Sequence, residues 1–173
     1  MTATEYVVLV DEQDHEIGQA EKLSAHQNNQ LHRAFSIFIF RQRESLEVLL
    51  QQRALDKYHS AGLWTNACCS HPRPGEGIVS AGERRLKEEL GISCELEDRA
   101  WFCYNAHFPN GLSEHELDHV LVGYFDDQQV IKPNPAEVHA YRWIGIETLR
   151  EELAAKPAQF TPWFAQALEI AAI

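Results

Sequence analysis

Histidines and carboxylates that could bind a divalent metal recur along this sequence. Glu114 and Glu116 lie just ahead of an apolar run, and their spacing puts both carboxylates on one side of an extended chain. Two carboxylates on one face either repel each other or share a cation. His26 and His32 flank the polar, turn-like run 27–30, and only a loop can bring them together. Each pattern alone favours the alternative, a solvated charged loop and two histidines that bind nothing.

The segment 66–71 contains a thiol that could donate a proton or act as a nucleophile. If the segment is extended, side chains alternate, so that Cys69, His71 and Ala67 project to one face and Cys68 to the other. An imidazole that holds a metal brings positive charge, which lowers the pKa of a nearby thiol. Cys69 is therefore the candidate for chemistry. The alternative, a small buried hydrophobic residue, is the interpretation adopted for Cys68.

One further carboxylate is predicted to point inward from a helix. The segment Ile78–Leu90 carries apolar residues at helical spacing, and Gly91 favours a left-handed end to the helix. At about 100° per residue, Glu89 falls within the apolar arc and Glu88 outside it. An inward carboxylate must be paired or bind a cation. Arg85 stands one turn earlier, so that a structural salt bridge is the favoured interpretation of this feature alone.

Other elements must position these side chains. Apolar and β-branched runs predict strands, of which the second and third form a hairpin, at 6–10, 34–40, 46–50, 63–69, 93–104, 117–125 and 138–143. The run 11–18 is predicted as a turn. A helix is predicted over 146–153, and another begins with Thr161 as N-cap and Pro162 in the first helical position.

Length and composition bound the class of protein. A chain of 173 residues, with 45% hydrophobic and 24% charged residues, is typical of one globular domain, here residues 1–173. The predicted elements give an α+β domain with a mixed sheet and flanking helices. The net charge of −11 would repel nucleic acid and anionic membrane surfaces, so neither partner is expected. An anionic substrate must meet a local cluster of basic groups or a divalent metal.

The N-terminus and the cysteines predict a cytoplasmic protein. The first residues lack the basic start and apolar run of a secretory signal, and no stretch has the length of a membrane span. Four cysteines include an adjacent pair that is awkward for a disulfide, which favours free thiols in a reducing compartment. A monomer or weak dimer is expected.

The combination of these residues resembles the type I isopentenyl-diphosphate isomerases. The motifs that carry the resemblance occur in the family's order and cover about residues 5–165: LHRAFS at 31–36, WTNACCSHP at 64–72, RRLKEELG at 84–91, EHE at 114–116 and TPW at 161–163. The run that includes both cysteines is the specific one. The resemblance implies a Nudix-like mixed β-sheet sandwich with flanking helices.

The stretch 76–91 is also similar to a degenerate Nudix box. Ser70 stands where that pattern has its first Gly, and Arg85 where it has Glu, so one metal-binding carboxylate of the Nudix hydrolases is missing. This departure weakens a hydrolase interpretation and suits an isomerase. A further departure is Ala61, where the family would have Pro before Gly62.

The resemblance implies a role for each candidate residue. It implies that one Zn²⁺, Mn²⁺ or Fe²⁺ is bound by His26, His32, His71, Glu114 and Glu116. Glu89 would be the partner of Mg²⁺ that bridges to a substrate diphosphate. The basic residues around that diphosphate would be Lys22, Arg53, Lys57 and Arg85. Proton transfer would fall to Cys69 on one face of the substrate and to Glu116, assisted by Tyr104, on the other, with the ring of Trp163 against a carbocation-like state.

The implied function is interconversion of isopentenyl and dimethylallyl diphosphate. Two alternatives remain open at this point. A Nudix diphosphatase of nucleoside or isoprenoid diphosphates would use Glu89 and magnesium to activate water, and would be indifferent to Cys69→Ala. A zinc-stabilised binding module would unfold with chelators and show no turnover, although structural zinc favours four ligands rich in thiolate.

Overall fold

The computed structural model describes residues 4–57 and 60–172. Its strands are β1 (Tyr6–Val10), β2 (Glu16–Glu21), β3 (His32–Gln42), β4 (Leu46–Arg53), β5 (Trp64–Thr65), β6 (Cys68–Ser70), β7 (Glu97–His107), β8 (Ser113–Tyr124) and β9 (Val138–Gly145). Its helices are α1 (Lys22–Gln27), α2 (Ile78–Leu90), α3 (Ile146–Ala155) and α4 (Phe164–Ala171), with a 3₁₀ turn at Pro157–Gln159. No helix among the described residues is long and apolar enough to cross a membrane.

The sheet is mixed and centres on β3, a largely buried strand. β3 pairs antiparallel with β1, β4 and β6 and parallel with β8, whose other edge carries β7. Because β3 alternates, Phe38 and Phe40 enter a core with α3 and α4, whereas Ile37 and Ile39 enter a second core with α2. Helices thus cover both faces of the sheet, and the predicted α+β sandwich is confirmed.

The predicted helix over Ile78–Leu90 has the expected ends and orientation. Gly91 adopts the left-handed conformation, with φ of 70°. Glu89 is buried and Glu88 exposed, as the helical periodicity requires. The other predicted strands and the helix after β9 are present with bounds shifted by a few residues. The prediction of one domain over 1–173 includes terminal residues outside the described ones and stays a prediction.

Two predicted elements are wrong. The single strand over 63–69 is two short strands that pair with different neighbours, because the chain bends at Asn66 and Ala67. Ala67 therefore packs in the same core as Cys68 and not on the face of Cys69. The last helix begins at Phe164, since the hydroxyl of Thr161 is used in a tertiary hydrogen bond rather than as an N-cap.

The predicted turn over 11–18 is shorter in the structure. The carboxylate of Asp11 accepts hydrogen bonds from the backbone N–H groups of Gln13 and His15, which closes the turn. β2 then returns along β1 by backbone pairing, although its side chains are largely exposed and lack an apolar pattern. β2 and the short helix α1, which carries Lys22 and His26, are the elements that the sequence analysis missed.

Candidate active site

Three histidines from distant parts of the chain converge at one point. His26 lies in α1, His32 begins β3, and His71 follows β6. One ring nitrogen from each lies within 4.8 Å of the others. The ring centroids of His32 and His71 are 5.0 Å apart, and those of His26 and His32 are 5.2 Å apart. The loop after α1 therefore does bring the two histidines six residues apart together.

Backbone carbonyls orient two of these rings toward the shared point. His26 Nδ1 donates to the carbonyl oxygen of Ser113 at 2.8 Å, and His32 Nδ1 to that of Gln30 at 2.9 Å. Because Nδ1 carries the proton in each case, Nε2 has a lone pair available for a cation. Burial lowers the pKa of His32 to about 4, so its imidazole is neutral at neutral pH. This donor set fits a divalent transition metal or zinc.

Two buried carboxylates from β8 lie on the same side of the sheet. Parallel pairing of β3 with β8 sets His32 beside Glu116, whose Oε1 is 3.9 Å from His32 Nε2 and 3.6 Å from His71 Nε2. Glu114 points the same way by strand alternation and is also buried. Burial, with the neighbouring charge of Glu114, raises the pKa of Glu116 well above its usual range. A bound cation would relieve this cost of burial.

The thiol of Cys69 is held by hydrogen bonds to polar side chains. Its Sγ accepts a hydrogen bond from Nε1 of Trp163 at 3.2 Å and donates to Oδ1 of Asn66 at 3.2 Å. Burial, with the nearby charge of Asp118, raises the pKa of Cys69 to about 12. The group is therefore a thiol at neutral pH, and the lowered pKa expected from a nearby imidazole is not what this environment gives.

Asn66 and two threonines fix the position of the thiol, a role that the sequence analysis gave to none of them although all three lie in its motifs. The amide of Asn66 donates to the carbonyl oxygens of Ile37 and Cys68, so its oxygen must face Cys69. That oxygen also accepts from the hydroxyl of Thr65, at 2.9 Å. The hydroxyl of Thr161 in turn donates to that of Thr65 at 2.8 Å. The segment before α4 is thus tied to the thiol through buried hydrogen bonds.

Ser36 and Asp118 form a hydrogen-bonded pair beside the thiol, and the sequence analysis did not predict it. The hydroxyl of Ser36 donates to Oδ2 of Asp118 at 2.8 Å and lies 3.8 Å from Cys69 Sγ. Burial raises the pKa of Asp118 to about 7. The signals in the sequence were a lone serine inside the apolar run of β3 and a third carboxylate in phase with those at 114 and 116.

Tyr104 lies opposite Glu116 and against the ring of Trp163. Its Cα pairs with that of Glu116 across β7 and β8, and its ring makes an edge contact with that of Trp163 at 5.9 Å between centroids. Burial, followed by the charges of Glu114 and Glu116, raises the pKa of Tyr104. Its buried hydroxyl has no hydrogen-bond partner among the residues that the structure describes. Such a hydroxyl can donate to a carboxylate or a ligand within reach.

The salt bridge that the helix spacing allowed is present. Arg85 Nη2 is 2.9 Å from Oε2 of Glu89 and Arg85 Nη1 is 2.6 Å from Oε2 of Glu88. Glu89 also accepts hydrogen bonds from the thiol of Cys68 and the amide of Gln51. Glu89 nevertheless lines the cavity of the site. Binding of a magnesium ion by Glu89 therefore stays a prediction, beside its structural salt bridge with Arg85.

A cavity of about 560 Å³ joins these groups to a set of basic side chains. It is lined by the predicted site residues Lys22, Arg53, Lys57, Cys69, His71, Arg85, Glu89, Glu114, Glu116 and Trp163. Each of two lysines is paired with a carboxylate, Lys22 with Glu5 at 3.2 Å and Lys57 with Glu137. Arg53 lies over the ring of Trp163 at 5.8 Å. The acidic chain thus concentrates positive groups where a diphosphate could bind.

The fold and the site define a Nudix domain. The family model described as NUDIX domain matches residues 30–164. Among solved structures, a protein from Deinococcus radiodurans superposes with a TM-score of 0.75 at 18% identity, over 96% of this chain and 99% of that one. A MutT protein from Methanosarcina mazei gives 0.63 at 20% identity, over 80% and 91%. At such identities these likenesses show the fold alone.

Curated relatives resolve the family within that fold. An isopentenyl-diphosphate Delta-isomerase from Serratia proteamaculans is 51% identical over 162 residues, 92% of this chain and 87% of the relative. One from Burkholderia multivorans is 52% identical over 160 residues, 92% and 89%. The chain therefore belongs to the isopentenyl-diphosphate Delta-isomerase family, and the resemblance recognised in the sequence is confirmed.

Proposed function

We propose that this chain interconverts isopentenyl and dimethylallyl diphosphate. The family supports the reaction, and one structural observation supports it most directly: Cys69 and Glu116 line the same cavity as the basic residues. The reaction adds a proton to the terminal carbon of an unactivated alkene and removes one from the carbon on the other side. It therefore needs two proton-transfer groups around one bound substrate.

The diphosphate is bound at the basic end of the cavity in this proposal. The residues assigned to it are Lys22, Arg53, Lys57 and Arg85, which supply charge that the chain as a whole lacks. Glu89 would hold Mg²⁺, which shields the phosphate charge when bound. Anchoring the diphosphate there places the five-carbon chain toward Cys69 and Glu116.

The histidine cluster is assigned to a second divalent ion. His26, His32, His71, Glu114 and Glu116 would hold Zn²⁺, Mn²⁺ or Fe²⁺, because nitrogen ligands make magnesium a poor occupant. When bound, that ion fixes the orientation of Glu116 and tunes its proton affinity. The carbonyl groups of Gln30 and Ser113 keep the imidazoles in the tautomer that this requires.

Proton transfer is assigned to Cys69 and Glu116, with Tyr104 beside the latter. One group donates a proton to the alkene and leaves a tertiary carbocation-like state. The other removes a proton from the neighbouring carbon, so the double bond moves without net loss of atoms. Trp163 presents its indole ring beside Cys69, and a cation–π contact contributes about 2 kcal/mol when it is desolvated. The direction of reaction decides which group donates.

Three further predictions accompany this function. The partner is predicted to be a small isoprenoid diphosphate, and neither nucleic acid nor a membrane is expected. A cytoplasmic location and a monomeric or weakly dimeric state stay predictions.

Incubation with isopentenyl diphosphate and magnesium in deuterated water tests the proposal. The native chain should produce dimethylallyl diphosphate that contains deuterium. Cys69→Ala and Glu116→Gln should each abolish its formation, whereas Cys103→Ala, which removes an exposed thiol on β7, should not. Release of phosphate or pyrophosphate without isomerisation, unaffected by Cys69→Ala, would establish a hydrolase instead.

A further inference from the structure

A carboxylate that no sequence motif identified lines the cavity beside two of its basic side chains. Glu137 lies just before β9, and its side chain forms an ion pair with Lys57. Its Oε2 also lies 3.8 Å from Nη2 of Arg85. One carboxylate therefore contacts two of the cations assigned to the diphosphate. All three side chains are mostly buried, with exposed fractions between 20% and 29%.

The backbone holds Glu137 in this position. The loop before it is fixed to the end of α2, because the N–H groups of Lys132 and Asn134 donate to the carbonyl oxygens of Leu90 and Glu89, each at 2.8 Å. The carbonyl oxygen of Glu137 itself accepts from the N–H of Ala54 at 3.1 Å. The carboxylate is thus held by backbone hydrogen bonds beside Lys57 and Arg85, and the ion pair is partly buried rather than a contact of two exposed side chains.

We propose that Glu137 is an internal competitor of the substrate diphosphate and sets the affinity of the site. The inference rests on the proposed function in taking a diphosphate as the ligand. While Glu137 neutralises Lys57 and Arg85, a phosphate group must displace its carboxylate to reach them. The apparent affinity is then reduced by the fraction of molecules in which the cations are available. Glu5 and Lys22, which also line the cavity, form a second but more exposed pair.

Lower affinity has a use in this reaction. Substrate and product carry the same diphosphate, so contacts with it stabilise both equally and do not lower the barrier between them. Tight binding of that group would slow the departure of product. A carboxylate that returns to Lys57 and Arg85 replaces the leaving diphosphate and keeps both cations paired. Glu137 therefore favours release without contact with the reacting carbons.

Calorimetric titration with inorganic pyrophosphate, at constant magnesium, tests the role of Glu137. Glu137→Gln keeps the shape of the side chain and should bind pyrophosphate about five- to tenfold more tightly than the native chain. The matched control is Glu88→Gln, which removes the same charge from a partner of Arg85 on the exposed side of α2. The control should change the affinity less than twofold. Unchanged or weaker binding by Glu137→Gln overturns the proposal.

A double-mutant cycle separates competition for Lys57 from a general effect of charge. In a Lys57→Met background, the gain from Glu137→Gln should fall to about half or less, because one contested cation is gone. An undiminished gain would mean a long-range charge effect and would also overturn the proposal. Isomerase activity measured on the same preparations keeps the two questions apart. If the native chain is active and Glu137→Gln binds pyrophosphate no more tightly, only this inference is refuted. If the native chain is inactive but Glu137→Gln binds pyrophosphate more tightly as expected, only the proposed function is refuted.

Discussion

The indole N–H of Trp163 donates a hydrogen bond to the sulfur of Cys69 at 3.2 Å. This contact joins the segment before α4 to β6, 94 residues away in the sequence. It orients the ring beside the thiol, so that the residue assigned to the carbocation and one assigned to proton transfer are fixed relative to each other.

Trp163→Phe should lower kcat for isopentenyl diphosphate by about fivefold, with little change in KM. Phenylalanine keeps an aromatic ring but loses the N–H that positions the thiol, and a hydrogen bond of this kind contributes about 1 kcal/mol. Steady-state kinetics measure the effect. Trp101→Phe, on an exposed part of β7, is the control and should leave both constants unchanged. An unaltered kcat in Trp163→Phe would show that the contact has no part in catalysis.

Asn66→Ala should lower the free energy of unfolding by about 2–3 kcal/mol and also lower kcat. The change removes the side-chain donor to the buried carbonyl groups of Ile37 and Cys68, of which that of Ile37 keeps the N–H of Ala67. It also removes the acceptor of the Cys69 thiol. Urea unfolding and kinetics check the two effects. Asn28→Ala, an exposed asparagine, should cost less than about 1 kcal/mol. Equal costs in the two variants would contradict the role given to Asn66.

His32→Ala should remove the ion from the histidine cluster. The native chain is expected to hold about one transition-metal or zinc ion, measured by elemental analysis after gel filtration, and the variant well under half of that. Dialysis against a chelator should likewise lower the melting temperature of the native chain but not of the variant. His107→Ala, on the exposed end of β7, should retain the ion. Equal metal content in His32→Ala would refute the assignment.

Stability should depend on pH through His119. Burial alone would lower its pKa, but its hydrogen bonds to Asp98 at 2.8 Å and Asp14 at 2.9 Å prevail and raise the pKa above 6.5. A raised pKa means that protonated His119 stabilises the folded chain fully below about pH 6.5, and that this contribution is lost as pH rises through the folded-state value.

The comparison of native chain and His119→Gln isolates that contribution. Urea unfolding at several pH values should show a stability difference between them that shrinks from pH 6 to pH 9. Other histidines titrate in both proteins and cancel in the difference. His139→Gln, at an exposed position of β9, is the control for the loss of an imidazole in general. A gap between native chain and His119→Gln that widened with rising pH would contradict the assigned sign.

The sequence by itself determined the elements whose pattern is local. The spacing of α2 fixed both its ends and the inward direction of Glu89, because a helix positions residues relative to near neighbours in the chain. Alternation of side chains along β8 predicted that Glu114 and Glu116 lie on one side of the strand. The motif around Cys69 indicated the family.

Only the tertiary structure decided which distant groups meet. The strand over 63–69 divides at Asn66 because its amide is bound by the carbonyl of Ile37, and Thr161 does not cap a helix because it donates to Thr65. Ile37 and Thr65 are both far in sequence from the residues they bind, so secondary-structure propensity, which depends on near neighbours in the chain, does not reflect these contacts. Glu137 belongs to no recognisable sequence pattern, because its proposed role depends on Lys57 in the loop after β4 and on Arg85 in α2. Residues distant in sequence are brought together by sheet pairing and core packing, and these follow from the free energy of the whole fold rather than of any segment.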